Sequence, residues 1–152
     1  VMTRSDDSNV GMPERNETII SGGAQILVSI HCNSGGAGSS AETVKGVSTY
    51  YRHLGYQPLA DIMYSKMLEL GLNQFGMVGS FNFSLNAPTQ LPNVLVETAF
   101  MSNPEDEMKL LDDEFRKAVA AKVVSGLEEF VKLYAAKGDQ IPQQSPGNAV
   151  RY

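Results

Sequence analysis

Two short apolar runs, each ending in a polar residue, constrain the fold of this chain more than any other feature. They are residues 27–31 (LVSIH) and residues 94–97 (VLVE). Short runs rich in Val, Ile and Leu and bounded by turn residues are typical of buried strands. In an open α/β sheet, ligands bind in the crevice outside the carboxyl ends of the strands. We therefore predict that His31 and Glu97 face the same crevice.

The segments around these runs alternate between strand-like and helix-like patterns, which predicts one α/β domain. Predicted strands cover residues 26–31, 46–51 and 93–97, and predicted helices cover residues 13–21, a stretch between Pro58 and Gly71, and residues 113–137. Residues 72–90 are mixed and broken by Gly, Asn and Pro. The domain is predicted to span residues 1–137, and residues 138–152 are predicted to be a C-terminal tail or linker.

One further helix start is visible after the second run. Asn103 suits an N-cap and Pro104 suits the first helical position. We interpret the acidic residues 105–107 as charges that complement the positive end of that helix dipole. Met63 and Met67 lie on the apolar face of the helix after Pro58, and we predict that they belong to the core.

Composition excludes several classes of function. The chain has 152 residues, 42% of them hydrophobic, and a net charge of −5. It contains no run of Lys and Arg, which argues against nucleic-acid binding. No apolar run approaches the roughly 20 residues that cross a bilayer, so we predict no membrane span. Cys32 is the single cysteine, so an intramolecular disulfide is impossible.

The first residues suggest an incomplete chain. The sequence opens with Val1-Met2-Thr3-Arg4, without an initiator methionine or a signal peptide. Val1-Met2 before a polar stretch is similar to the end of a strand. We therefore expect a fragment or a processed product.

Several segments, in their order and spacing, resemble one enzyme family. Residues 27–33 (LVSIHCN) are similar to a SIHAN segment, residues 46–51 (GVSTYY) to GxETYY, and residues 92–107 (PNVLVETAFMSNPEDE) to PAVLVExGFxSNPxDE. Thr3-Arg4 with Asp7, followed by Arg15, resembles a TR…D segment and the arginine after it. Over residues 1 to about 136, the chain therefore resembles the zinc-dependent N-acetylmuramoyl-L-alanine amidases of type 3.

This resemblance implies both a fold and a reaction. The implied fold is a three-layer α/β domain with a mostly parallel, twisted sheet flanked by helices. The implied reaction cleaves the amide bond between N-acetylmuramic acid and L-alanine in peptidoglycan, with one Zn2+ ion. His31 corresponds to a zinc ligand and Glu97 to the catalytic glutamate. Catalytic zinc keeps three protein ligands and activates a water, and a nearby carboxylate can transfer the protons.

The resemblance also implies a location and partners. A peptidoglycan substrate lies outside the cytoplasmic membrane, so the parent protein is expected in the periplasm or the cell wall of a bacterium. We expect a monomer that binds the muramoyl-peptide substrate and neither nucleic acid nor a membrane.

The chain departs from the family at its beginning. The family's first histidine ligand and its glutamate ligand precede the TR segment, together with the first strand and helix of the fold. This chain begins at that segment, so we expect both ligands and both elements to be absent and some apolar surface to be exposed. We therefore predict that the isolated chain is inactive.

Other interpretations of the polar residues remain open. His53 is interpreted as a surface histidine, with a metal or substrate role as the alternative. Cys32 is interpreted as a small buried side chain facing away from His31, with a nucleophile as the alternative. Asn33, Ser102 and Asn103 are expected to shape loops and caps, with a position lining the cleft as the alternative for Asn33. A degenerate amidase fold that binds peptidoglycan or regulates, and an unrelated hydrolase that uses Cys32 or a serine, are the alternative functions.

Overall fold

The order of elements follows the alternation of patterns in the sequence. The structure is a computed structural model that describes residues 1–36, 38 and 41–134. Its helices and strands, in chain order, are α1 (Met12–Ser21), β1 (Leu27–Asn33), β2 (Val47–Tyr50), α2 (Gln57–Leu68), β3 (Gln74–Val78), β4 (Asn93–Phe100), α3 (Pro104–Leu111) and α4 (Asp113–Tyr134). Short 3-10 turns lie at Leu54–Tyr56 and Ser84–Asn86.

The strands form one sheet in the order β1-β4-β2-β3. β1 runs parallel to β4 and β2 runs parallel to β3, whereas β2 and β4 are antiparallel. Two of the three pairings are parallel, which confirms the predicted mostly parallel sheet. β1 and β3 are its edge strands.

Helices cover both faces of the sheet. Val28 of β1 and Val96 of β4 pack into the main core, to which α2 and α4 contribute their apolar faces. Leu27 of β1 packs instead against a smaller cluster that contains Ile19 of α1. Successive side chains of a strand point to opposite faces, so these two clusters lie on opposite sides of the sheet. The predicted three-layer α/β arrangement is confirmed.

The predicted helices and their boundaries agree closely with the structure. Met63 and Met67 of α2 are fully buried, which confirms their prediction as core residues. The Asn103 side chain caps α3 by accepting hydrogen bonds from the backbone N–H groups of Glu105 and Asp106. α4 is described as far as Tyr134, and the predicted end of this helix and the tail at 138–152 lie outside the described residues. Among the described residues, no helix is both long and apolar enough to cross a membrane.

Two predictions from the sequence are wrong. β3 lies within residues 72–90, a segment predicted as mixed, and it pairs with β2 through a register that shifts near Val47. Gly76 interrupts this strand and its first residues are exposed, so the sequence shows no clear alternation there. Val1-Met2, expected as the end of a strand, has no strand structure and is exposed.

Residues 105–107 lie in the first turn of α3, as predicted, and one of them has a further role that the sequence did not indicate. Asp106 is fully buried, and its Oδ2 accepts hydrogen bonds from the backbone N–H groups of Gly46 (2.7 Å) and Phe100 (3.0 Å). Glu105 does remain exposed and pairs with Lys45. Asp106 therefore connects the start of β2 to the end of β4, the strand that carries Glu97.

Candidate active site

His31 and Glu97 lie side by side on neighbouring parallel strands. His31 of β1 is the register partner of Glu97 of β4, and Glu97 is in turn the register partner of Ser48 of β2. Directly opposed residues of paired strands project to the same face of a sheet. The structure therefore brings together the two site residues predicted from the sequence, with a buried serine beside them.

The Glu97 side chain is half-buried, and one of its carboxylate oxygens lacks a hydrogen bond to replace the lost water within the described part of the chain. Its Oε2 atom is buried and has no hydrogen-bond partner within the described part of the chain. Burial raises the pKa of the Glu97 carboxyl above its ordinary value. A carboxyl group with a raised pKa can both accept and return a proton closer to neutral pH than an ordinary glutamate does.

His31 is held by a neighbour on its own strand. The Ser29 hydroxyl lies 2.8 Å from His31 Nε2, two residues away and therefore on the same face of β1. Burial lowers the pKa of His31, and the positive charges of Arg15 and then Arg4 lower it further. The ring is consequently neutral at neutral pH, which is the form that binds a metal ion.

A complete zinc site is not formed by these residues alone. A catalytic zinc ion takes three protein ligands and keeps one open position. Throughout residues 1–36, 38 and 41–134, no group of three His, Cys, Asp or Glu side chains is arranged to hold a metal ion. His31 and Glu97 supply one imidazole and one carboxylate, so the described residues do not fit the zinc centre that the family resemblance implies.

His53 and Cys32 are placed in ways that give neither of them a clear catalytic role. The His53 ring packs edge-on against Tyr56, with centroids 5.5 Å apart, and its Nε2 lies 3.4 Å from the Ala87 carbonyl oxygen. Cys32 is exposed, so its prediction as a buried side chain is wrong. Desolvation raises the pKa of the Cys32 thiol, and the negative charge of Glu97 raises it further. The reactive thiolate is therefore disfavoured.

The polar residues near the ends of β1 and β4 shape loops, as predicted. Asn33 accepts a hydrogen bond from the backbone N–H of Ser34. The Ser102 hydroxyl donates to the Ala41 carbonyl and accepts from the Gly35 N–H, both at 2.9 Å. These bonds connect the segment after β4 to the loop that follows β1.

A cavity of about 290 Å³ lies beside His31, between β1, α1 and the first residues of the chain. Its polar wall contains Arg4, Arg15, Ser29 and His31. In the sequence, Arg4 and Arg15 stand out only as parts of the family resemblance, and Ser29 was not predicted as a site residue. The spacing of Ser29 and His31, two residues apart on one strand, was the signal that could have placed Ser29 there.

Comparisons with known proteins identify the class to which this fold and site belong. Residues 1–129 match the Amidase_3 family, described as N-acetylmuramoyl-L-alanine amidase. The chain is 33% identical to the catalytic domain of CwlV, an N-acetylmuramoyl-L-alanine amidase from Bacillus (Paenibacillus) polymyxa, with a TM-score of 0.77, covering 87% of this chain and 72% of that one. For the amidase AmiC2 of Nostoc punctiforme, identity is 28% and the TM-score 0.78, with 87% and 72% covered.

Two sequence relatives are longer than this chain. It is 32% identical to the "Probable cell wall amidase LytH" of Staphylococcus aureus over 127 residues, which are 84% of this chain and 40% of that protein. It is 30% identical to the "Uncharacterized protein YqiI" of Bacillus subtilis over 130 residues, which are 86% of this chain and 63% of that protein. The chain thus spans between two fifths and two thirds of the length of these relatives. It belongs to the N-acetylmuramoyl-L-alanine amidase family.

Proposed function

We propose that this chain forms most of the catalytic domain of a peptidoglycan hydrolase. The hydrolase cleaves the amide bond between N-acetylmuramic acid and the L-alanine of the stem peptide. The observation that carries this proposal is the pairing of His31 with Glu97 on one face of the sheet, in a chain that belongs to the amidase family. The name of LytH, a cell wall amidase, supports the same class of substrate.

Glu97 is proposed as the general base and general acid of the reaction. Its carboxylate takes a proton from the water that attacks the scissile carbonyl carbon. The same group then returns the proton to the nitrogen of L-alanine as the C–N bond breaks. The raised pKa of Glu97 supports this double role, because proton transfer is most efficient when the pKa lies near the working pH.

His31 is proposed as one ligand of a catalytic Zn2+ ion. When bound, such an ion polarises a carbonyl oxygen and activates water. The described residues offer no group of three ligands, so two further ligands must come from polypeptide outside them. We propose in addition that the 152-residue chain alone does not hydrolyse muramoyl-peptides. The proposed enzyme acts outside the cytoplasmic membrane, where its substrate lies, and works as a monomer.

A non-catalytic role is the second candidate. The lack of a three-ligand group among the described residues favours a domain that binds peptidoglycan without cleaving it. The two candidates differ in whether Glu97 and His31 are needed for hydrolysis once the missing ligands are supplied.

The test compares two polypeptides. One is the 152-residue chain, and the other is the same chain joined at Val1 to the part of the CwlV catalytic domain that precedes the residue aligned with Val1. Both are incubated with Zn2+ and purified muramoyl-peptides, and mass spectrometry records peptides with a new L-alanine amino terminus. We expect hydrolysis by the joined chain alone.

Site variants of the joined chain complete the test. Glu97→Gln and His31→Ala are expected to lower the rate by at least about 1000-fold, because each removes a group that acts on the reacting atoms. His53→Ala is the matched control and is expected to keep the rate. Peptidoglycan binding without hydrolysis by a folded joined chain would support the non-catalytic candidate instead.

A further inference from the structure

A long segment that runs from the end of α2 into β4 carries no charge. Residues 70–96 contain no Asp, Glu, Lys, Arg or His, although 19% of the chain consists of charged residues. The exposed polar side chains of this segment are all amides or hydroxyls: Asn73, Gln74, Ser80, Asn82, Ser84, Thr89 and Gln90. Amides and hydroxyls both donate and accept hydrogen bonds. Such a surface therefore suits a neutral ligand that is rich in hydroxyl and amide groups.

Two phenylalanines of this segment form an aromatic cluster with a tyrosine of β2. The ring centroids of Phe81 and Phe83 lie 4.5 Å apart. Each of these rings meets the Tyr50 ring edge-on, with centroid distances of 5.2 Å for Phe81 and 5.4 Å for Phe83. We call these three residues the aromatic platform. Tyr50 is buried and Phe83 is half-buried, whereas Phe81 is 41% exposed, so Phe81 supplies the accessible aromatic surface.

Hydrogen bonds hold the aromatic platform in place before any ligand binds. The backbone N–H of Phe81 donates to the Tyr51 carbonyl oxygen at 3.2 Å. The fully buried Asn86 side chain donates from Nδ2 to the Tyr50 carbonyl oxygen, also at 3.2 Å. Both bonds connect the loop after β3 to the end of β2. A surface that is fixed in this way loses little conformational entropy on binding, which favours affinity.

The aromatic platform adjoins the proposed catalytic residue through Ser48. Ser48 is the register partner of Glu97, and Tyr50 lies two residues further along β2 and therefore on the same face of the sheet. The Ser48 hydroxyl donates to the Tyr50 hydroxyl oxygen at 3.3 Å, so the hydroxyl end of the Tyr50 ring lies beside the strand position that pairs with Glu97. The aromatic platform thus borders the proposed reaction centre on the side of β2, away from the edge strand β1.

The size and the chemistry of this surface favour a sugar over a protein as its ligand. One exposed ring among amides and hydroxyls is a small apolar surface compared with a stable protein interface. The C–H bonds on one face of a sugar ring carry partial positive charge, and they match the negative face of an aromatic ring. An acetamido group adds a methyl group for the ring of Phe81 and an amide for the exposed side chain of Asn82.

We propose that the aromatic platform is a subsite for a second sugar of the glycan strand, next to the muramic acid residue whose amide bond is cleaved. Phe81 stacks on this second sugar, and Asn82 contacts its acetamido group. This inference rests on the proposed function, which supplies a substrate made of N-acetylated sugars. The enzyme then prefers polymeric glycan strands to single muramoyl-peptides, because only a strand occupies the subsite.

The first test measures sugar binding to the 152-residue chain, without catalysis. N-acetylchitotetraose, a chain of N-acetylglucosamine, and cellotetraose, which has the same backbone without acetamido groups, are titrated and followed by NMR. We expect N-acetylchitotetraose to bind at least about five-fold more tightly than cellotetraose. Phe81→Ala should weaken the binding of N-acetylchitotetraose about ten-fold because a stacked ring is lost, and Phe81→Tyr should retain the binding.

Phe75→Ala is the matched control for this test. Phe75 lies in the same uncharged segment and is 48% exposed, but its ring packs edge-on against Phe100, outside the aromatic platform. Its replacement should leave sugar binding unchanged. Thermal melting identifies any variant that fails to fold. Phe81→Leu keeps an apolar side chain without a ring, so it should weaken binding in the same way and replaces Phe81→Ala if that variant does not fold.

The second test measures the length preference of the joined chain. Phe81→Ala should lower kcat/KM for glycan strands that carry stem peptides about ten-fold. The same substitution should leave kcat/KM for a single muramoyl-peptide unchanged, because that substrate has no second sugar. An equal effect on both substrates would contradict the assignment of Phe81 to a separate subsite.

Each outcome of the binding test bears on one proposal. Equal binding of the two oligosaccharides, binding of neither, or equal loss in Phe81→Ala and Phe75→Ala overturns the sugar subsite even if the joined chain hydrolyses muramoyl-peptides. Self-association in sedimentation that is lost in Phe81→Ala, without sugar binding, would assign the aromatic platform to a second copy and also overturn the subsite. Selective binding of N-acetylchitotetraose through Phe81 supports the subsite even if the joined chain proves inactive. The failure of this inference is therefore distinguishable from the failure of the proposed amidase activity.

Discussion

Glu97, the proposed catalytic residue, is held in a state that favours proton transfer over stability. Glu97 carries a buried carboxylate oxygen without a hydrogen-bond partner among the described residues. Removal of a carboxylate from water without compensation disfavours its charged form. The desolvation that raises the pKa of Glu97 therefore also lowers the free energy of unfolding at neutral pH.

Replacement of Glu97 is expected to stabilise the folded chain at neutral pH. The pKa of Glu97 is higher in the folded chain than in the unfolded one, so the folded state binds the additional proton as the pH falls. The destabilisation that ionised Glu97 causes is absent below its ordinary pKa. It grows as the pH rises from that value to the raised pKa. We expect Glu97→Gln to raise the Tm by about 2 °C at pH 7, with a difference that disappears near pH ~4.

The control for this measurement is Glu128→Gln. Glu128 is exposed on α4, so its replacement should leave the Tm unchanged at both pH values. A Tm difference for Glu97→Gln that is the same at pH ~4 and at pH 7 would contradict the assignment of the raised pKa.

At the residue scale, the positions of two polar side chains could be predicted because each follows a short apolar run. His31 and Glu97 were found because they end two such runs, and the structure pairs them in register. Asp106 was missed because an acidic residue at a helix start is ordinarily solvated. Its burial depends on contacts with Gly46 and Phe100, one of them 60 residues away along the chain, which no local pattern reveals.

At the scale of elements, the position of β4 depends on the junction that Asp106 makes with β2. Oδ2 accepts two buried backbone N–H groups, which would otherwise have no partner there. An unsatisfied buried donor costs about 1–3 kcal/mol. The junction therefore fixes the strand on which Glu97 lies.

Two substitutions of Asp106 should separate the contribution of side-chain shape to stability from the contribution of the two hydrogen bonds. Asp106→Leu leaves both N–H groups unpaired and is expected to lower the free energy of unfolding by about 3 kcal/mol. Asp106→Asn retains a carbonyl oxygen that can accept from the same donors, so its loss should be about 1 kcal/mol. Urea unfolding measures both values. Equal losses in the two variants would show that the hydrogen bonds are not what holds this junction.

Gly46 at the start of β2 is expected to tolerate no side chain. Its φ is +106°, and a Cβ atom would lie 2.2 Å from the backbone oxygen of Asn73. Gly46→Ala should therefore destabilise the chain by about 3 kcal/mol or more. Gly71→Ala is the matched control, because Gly71 also has a positive φ of +71° but no atom within 4 Å of the added Cβ. Its cost should be about 1–2 kcal/mol in the same urea experiment.

The elements themselves were predictable to different degrees. α2, α4 and the first residues of α3 follow from apolar periodicity and capping residues, which are local signals. β3 was not predicted, since it is a short edge strand with Gly76 inside it and exposed residues at its start. Its strand conformation comes from pairing with β2, and that partner lies more than 20 residues earlier in the chain.

At the scale of the whole molecule, the proposed catalytic pair lies beside an edge of the sheet. β1 is an edge strand, and Ile30 on it is 53% exposed. The cavity with Arg4 and Arg15 lies along the same strand. The fold class was predicted correctly from the sequence, whereas the cationic cavity was not, because it is formed by segments that are separate in the chain.

The measurement that tests this account most directly is the amount of zinc bound per chain. The 152-residue protein is equilibrated with Zn2+, dialysed and analysed by elemental mass spectrometry. Because His31 is the only imidazole that the account assigns to the metal, we predict about 0.1 zinc per chain or less. Near-stoichiometric zinc that is lost in His31→Ala would contradict the proposal that the 152-residue chain alone lacks a complete set of zinc ligands.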